Sequence, residues 1–192
     1  QACSTIWAVD PKAACLIGPA KFYNRYNLGA EYLVSGGPAI YAANFFEPKI
    51  WIGSNQSGSC RTGQQCDVPY GSDQFLCTDV NTHLSPPQLL QKCGGANSTK
   101  RVKVDRTWIK QELAVISDFA TNHNVPVWID QWGLRASAVG GDATQNQYME
   151  DILAEFGARR FHWSYWIWRR TKAWGLGGYA IQRESEDGTY SV

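Results

Sequence analysis

The sequence predicts an α/β fold with a parallel sheet, on three observations. Four short apolar runs lie in order, at residues 14–18, 39–46, 126–129 and 161–168. Helical patterns precede the third and the fourth. The run at 39–46 is apolar on both faces, as strands are when helices cover the sheet. Strands alternating with helices fold as right-handed parallel βαβ units.

Residues 2–9 read as the tail of a helix, stopped by Asp10 and Pro11 because a residue before proline avoids the helical region. Residues 14–18 read as a buried strand ended by Gly18 and Pro19. Asp105 is placed to cap a helix whose stripe is Ile109, Leu113, Ile116 and Ala120, widened by Val115 and Phe119. His123 falls in its last turn, where a positive charge suits the helix dipole. Asp142 and Gln145 resemble a capping box for a second helix that should bury Met149, Ile152, Leu153 and Phe156 and stop at Gly157. After Trp168 no long amphipathic pattern follows, and residues 175–192 read as loops with a turn at Asp187 and Gly188.

Between the second and third strands lies a long insertion, residues 48–104, rich in Gly, Ser and Asn. Cys60, Cys66, Cys77 and Cys93 all fall in it, and Cys3 and Cys15 lie before it. A loop of this length needs crosslinks or a function to hold it. The four insertion cysteines are expected to pair among themselves, in any of three connectivities, leaving Cys3 with Cys15. Two glycosylation tripeptides begin at Asn55 and Asn97 in the same insertion. Disulfides and sequons together imply a secreted or cell-surface protein.

Composition narrows the function classes. Charged residues make 18% and apolar residues 44% of the 192, which fits a globular chain. The net charge of +1 offers no basic face for nucleic acid, and no apolar run is long enough to span a bilayer. With no CxxC pair and three histidines, neither a zinc site nor another metal or cofactor is implied. No leader-like stretch precedes Ala2, so the chain reads as starting within a domain.

Three strand ends carry a resemblance. Residues 41–48 (Tyr-Ala-Ala-Asn-Phe-Phe-Glu-Pro), 126–133 (Pro-Val-Trp-Ile-Asp-Gln-Trp-Gly) and 163–168 (Trp-Ser-Tyr-Trp-Ile-Trp) resemble, in order, the sixth, seventh and eighth strands of glycoside hydrolase family 5, the cellulase-type retaining enzymes. Residues 16–19 would then belong to the fifth strand. The resemblance implies that residues 1–192 form a single partial module. It would be the C-terminal half, strands five to eight, of a (β/α)8 TIM-type barrel with a long disulfide-rich insertion.

It also implies a site. Such enzymes use two carboxyl groups about 5–5.5 Å apart. The nucleophilic Glu at the end of the seventh strand reads Gln131 here, and an amide cannot form a glycosyl ester. The acid/base Glu ends the fourth strand, before the stretch that bears the likeness. The His and Tyr of the sixth strand read Asn44 and Phe46. The expectation is a catalytically degenerate module, a structural or carbohydrate-interacting glycoprotein. The alternative is an active retaining β-glycosidase completed by a separate N-terminal half. Trp166 matches the Trp that floors the sugar site, and Trp132 is a second candidate for a β-linked oligosaccharide. Asp130 should face away from the barrel axis by strict alternation, while Ile40, Ala42, Val127 and Ile129 should face it. The implied partner is the N-terminal half of the barrel, or another subunit.

Overall fold

The computed structural model describes residues 2–48, 51, 68–134, 141–167, 169–170, 182–184 and 190–191. Asn55, Cys60, Cys66, Trp168, Asp187 and Gly188 lie outside them, as does the side chain of Asp142.

Four strands form the central sheet: β1 (Cys15–Ile17), β2 (Ala39–Phe45), β5 (Val127–Trp132) and β6 (His162–Tyr165), in the order β1-β2-β5-β6. All three pairings are parallel, as the strand–helix alternation requires. Each observed strand sits within two or three residues of its expected place. β5 runs farther than expected, through Trp132, and β6 is shorter. Helix α1 (Ala2–Val9) ends before Asp10 as expected, and Cys3 is bonded to Cys15 of β1. Between β1 and β2 lie the one-turn helix α2 (Ala20–Tyr23) and two short 3-10 turns, Arg25–Asn27 and Ala30–Tyr32.

By contact density the chain divides into two units. The first holds the four-stranded sheet and residues 111–132 and 156–165. Its core forms where Tyr41 meets Phe119 and where Phe45 and Trp132 meet Phe156, all in edge-on ring contacts. Tyr41, Phe45, Trp132 and Phe156 are fully or almost fully buried. Burial of such rings is the dominant favourable term here.

The second unit includes residues 46–110 and 133–155. Part of the insertion has secondary structure of its own. An antiparallel ribbon pairs β3 (Phe75–Leu76) with β4 (Arg101–Val102), beside helices α3 (Cys77–Val80) and α4 (Pro86–Cys93). Ser85 and Gln88 close a capping box on α4, and Gly94 ends it in the left-handed region at φ 88°. Cys77 is bonded to Cys93, one of the three open pairings, and both are buried. A separate cluster packs Trp51, Tyr70 and Tyr148 together, and the Tyr70 hydroxyl donates to Asp151. Burial and that bond push the Tyr70 phenol far above its ordinary range. The tail carries short strands where loops are expected: β7 (Arg169–Arg170) pairs parallel with β8 (Gln182–Glu184), and β8 antiparallel with β9 (Tyr190–Ser191).

The long helices are α5 (Arg106–His123) and α6 (Gly141–Ala158). Asp105 caps α5 as expected, its Oδ1 accepting from the backbone N–H groups of Thr107 and Trp108. Ile109, Leu113, Ile116 and Phe119 are buried along α5, and the His123 ring lies edge-on to Phe119. On α6 the stripe is Tyr148, Ile152, Glu155 and Phe156. Leu153 is exposed rather than buried, and Tyr148 belongs to the buried stripe instead. α6 runs past Gly157, and the left-handed residue that follows it is Arg160, at φ 55°.

Candidate functional site

In parallel α/β sheets, functional side chains gather at the C-terminal ends of the strands. Here those ends carry Asn44 on β2, Gln131 on β5 and Ser164 on β6. Asn44 and Gln131 are ladder partners, and Asn44 Nδ2 donates to Gln131 Oε1 at 3.4 Å. The structure thus brings together two of the positions singled out from sequence. Phe46 and Trp166, both half-buried, directly follow β2 and β6 in the chain. Trp132 is 1% exposed, with its ring edge-on to Phe156, Trp163 and Tyr165. That packing gives it no open face for a sugar.

Strict alternation fails along β5. Val127 pairs with Tyr41 and Ile129 with Ala43, and Tyr41 packs on Phe119 of α5. Partners at one level of a parallel ladder project to the same face. Val127 and Ile129 therefore face the helices, and Trp128 the inner face. This corrects the expectation that Val127 and Ile129 point inward. The register then shifts: Asn44 pairs with Gln131, and Phe45 with Trp132. From Ala43 to Phe45, one residue of β2 lies between helix-facing neighbours. From Trp163 to Tyr165, one residue of β6 does. From Ile129 to Trp132, β5 has two, Asp130 and Gln131. This is a β-bulge, with two residues set against one on each side.

Hydrogen bonds pin the bulge. Ser164 Oγ donates to the Asp130 carbonyl at 2.8 Å and accepts from Trp128 Nε1 at 3.0 Å. Burial alone holds the Asp130 carboxyl above its ordinary range.

Sequence reasoning missed a buried ion pair in the same unit. Arg25 Nη2 donates to Glu112 Oε2 at 2.9 Å, with both side chains 4% exposed. The Tyr26 hydroxyl donates to the same carboxylate oxygen, and the Arg25 guanidinium lies over the Tyr26 and Phe45 rings. Asn24 bridges to Asn44, so this network abuts the end of β2. Nothing local marks these residues, because Arg25 and Glu112 lie 87 positions apart. Among the described residues no group of three His, Cys, Asp or Glu side chains could hold a metal ion.

No family model matches this sequence. No curated protein matches it either. Solved structures do. The Clostridial cellulose synthase subunit Z of Clostridioides difficile matches with a TM-score of 0.63 at 16% identity, over 98% of this chain and 50% of its own. The fold is that of half a cellulase-type barrel. Cel5A of Thermotoga maritima, solved in complex with cellobiose, gives a TM-score of 0.62 at 15% identity, over 98% of this chain and 49% of its own. A further structure of endoglucanase Cel5A from that organism gives 0.61 at 16% identity, over 98% and 48%. The half-barrel therefore spans about half the length of the structures it matches. Its four parallel strands correspond to strands five to eight of the (β/α)8 fold.

Proposed function

We propose that this half-barrel is a catalytically silent, secreted glycoprotein module that holds a β-linked oligosaccharide without cleaving it. The observation that carries the reading is the Asn44–Gln131 amide pair at the strand ends. A retaining mechanism needs a carboxylate to attack the anomeric carbon and a second carboxyl to protonate the leaving group. Gln131 stands where the resemblance puts the nucleophile, and its oxygen is engaged by another neutral amide. Amides still donate to and accept from sugar hydroxyls, and the resemblance assigns Trp166, in the segment that follows β6, to stacking on a sugar. The similar structures include a complex with cellobiose, which makes cello-oligosaccharides the first ligands to try.

The Cys3–Cys15 and Cys77–Cys93 disulfides and the exposed sequon at Asn97 support secretion, and among the described residues no helix is long and apolar enough to cross a membrane. The partner we propose is the complementary four-stranded half of the barrel. Incubation with soluble β-glucan and aryl β-glycosides should release no sugar above a buffer blank. Turnover that survives repurification refutes the silent reading and favours an active β-glycosidase of which this chain is one piece.

A further inference from the structure

The bulge in β5 has a chemical consequence. Between the helix-facing residues Ile129 and Trp132, both neighbouring strands fit a single inner-face residue. β5 fits Asp130 and Gln131 in the same interval, so both are turned from the helix-packed face. With Ile129 facing the helices, alternation aims Asp130 at the inner face, and the bulge keeps Gln131 there as well. Its backbone carbonyl is held by Ser164 Oγ at 2.8 Å, which fixes the bulge without using the carboxyl group. Among the described residues no hydrogen bond or ion pair engages that carboxylate, which is half-buried. A half-buried carboxylate with its lone pairs open, next to the Gln131 amide, is an acceptor in search of donors.

We propose that Asp130 is a ligand-binding carboxylate, offset by one residue from Gln131, that accepts hydrogen bonds from a pair of neighbouring sugar hydroxyls. The proposal rests on the reading of these strand ends as a carbohydrate site and adds the residue that anchors the ligand. Adjacent hydroxyls of a pyranose offer two parallel donors, and a carboxylate has two oxygens at matching spacing. Bonds to a charged acceptor are the strong ones. The amides of Gln131 and Asn44 complete a polar patch of mixed donors and acceptors. No bond is made or broken, so the step needs no second carboxyl group.

The test is calorimetric titration of the 192-residue chain with cellohexaose, using the unmutated protein, Asp130→Asn and Trp166→Ala. Asp130→Asn keeps the shape of the side chain and removes the charge. We expect it to weaken binding at least about tenfold while the variant keeps the circular dichroism spectrum of the unmutated chain. Binding within about twofold of the unmutated chain overturns the role of Asp130. If Trp166→Ala abolishes that same binding, the sugar-binding reading still stands. Absence of binding by the unmutated chain overturns both. A carbon NMR measurement needs no variant to fold: the Asp130 carboxyl resonance should move on addition of cellohexaose, and a resonance that stays in place overturns the proposal.

Discussion

Asn44 and Gln131 face each other across the β2–β5 ladder, the Asn44 amide donating to the Gln131 oxygen at 3.4 Å. On the function proposed, two neutral groups occupy the place where a retaining enzyme's carboxylate would act. Restoring the carboxylate alone should not restore catalysis. In Gln131→Glu the new group adjoins Asp130, whose own carboxyl already resists ionisation. Two neighbouring carboxylates disfavour each other's charged forms. The variant should be less stable at pH 7 than at pH 4, and it should still release no aglycone from aryl β-glycosides. Hydrolysis by this single variant would show that Asn44 and Phe46 do not limit the site.

Asp130 makes stability depend on pH with a definite sign. Burial holds its carboxyl above the ordinary aspartate range in the folded chain. The folded state therefore holds the proton more tightly than the unfolded state does. The penalty is absent below the unfolded value, grows as pH rises from there to the folded value, and is constant above it. Asp130→Asn removes the penalty. Melting curves should show the variant more stable than the parent at pH 7 and level with it near pH 3. A variant less stable than its parent at pH 7 would mean that the carboxylate has a stabilising partner. A residue that weakens the fold but strengthens ligand binding is expected at functional sites.

Much of this was legible in the sequence. The Asp105 cap was plain from one acidic residue before an apolar stripe, and the parallel sheet from the order of strands and helices. The Cys3–Cys15 bond followed from setting the four insertion cysteines aside. The bulge was not legible: strict alternation put Val127 and Ile129 on the inner face, and only the ladder to β2 and β6 reveals that Asp130 is the additional residue. Nor was Trp132, whose burial depends on Phe156, Trp163 and Tyr165 arriving from other elements. Local pattern fixes elements, whereas side-chain partners are set by packing between segments far apart.

The Arg25–Glu112 pair illustrates the point and can be measured. Both side chains are 4% exposed, so removing one charge leaves the other buried with no opposite charge from this pair. Glu112→Leu or Arg25→Met alone should cost about 3–5 kcal/mol in urea unfolding, and the double variant should recover part of that. A loss below about 1 kcal/mol in either single variant would mean that water reaches the pair.

Asn97 lies exposed just after α4, so its sequon is open to modification. Peptide mapping of chain secreted from eukaryotic cells should find glycan on Asn97, and also on Asn55. Both asparagines bare would count against a secretory route.

The half-barrel should not persist alone. Among the described residues the sheet ends at β1 on one side and β6 on the other, with nothing paired beyond them. A closed barrel has no such edges. Each carries an apolar side chain open to solvent, Leu16 and Trp163, both 45% exposed. At the N-terminal ends of the strands, a cavity of 470 Å³ opens among Ile40, Pro126, Val127, Trp128, His162 and Trp163. Covering each large apolar side chain gains about 1.5–3 kcal/mol. Several together rival the whole stability of a domain, about 5–15 kcal/mol. A complementary set of four strands would pair with both edges and fill the inner face, whereas a loop or a short peptide would do only one of these. Sedimentation at low micromolar concentration should therefore find the isolated chain self-associating. Co-expression with such a half should give a stable one-to-one species. A compact monomer that unfolds cooperatively with no partner would show that the two edges and the open face are stable in water as they stand.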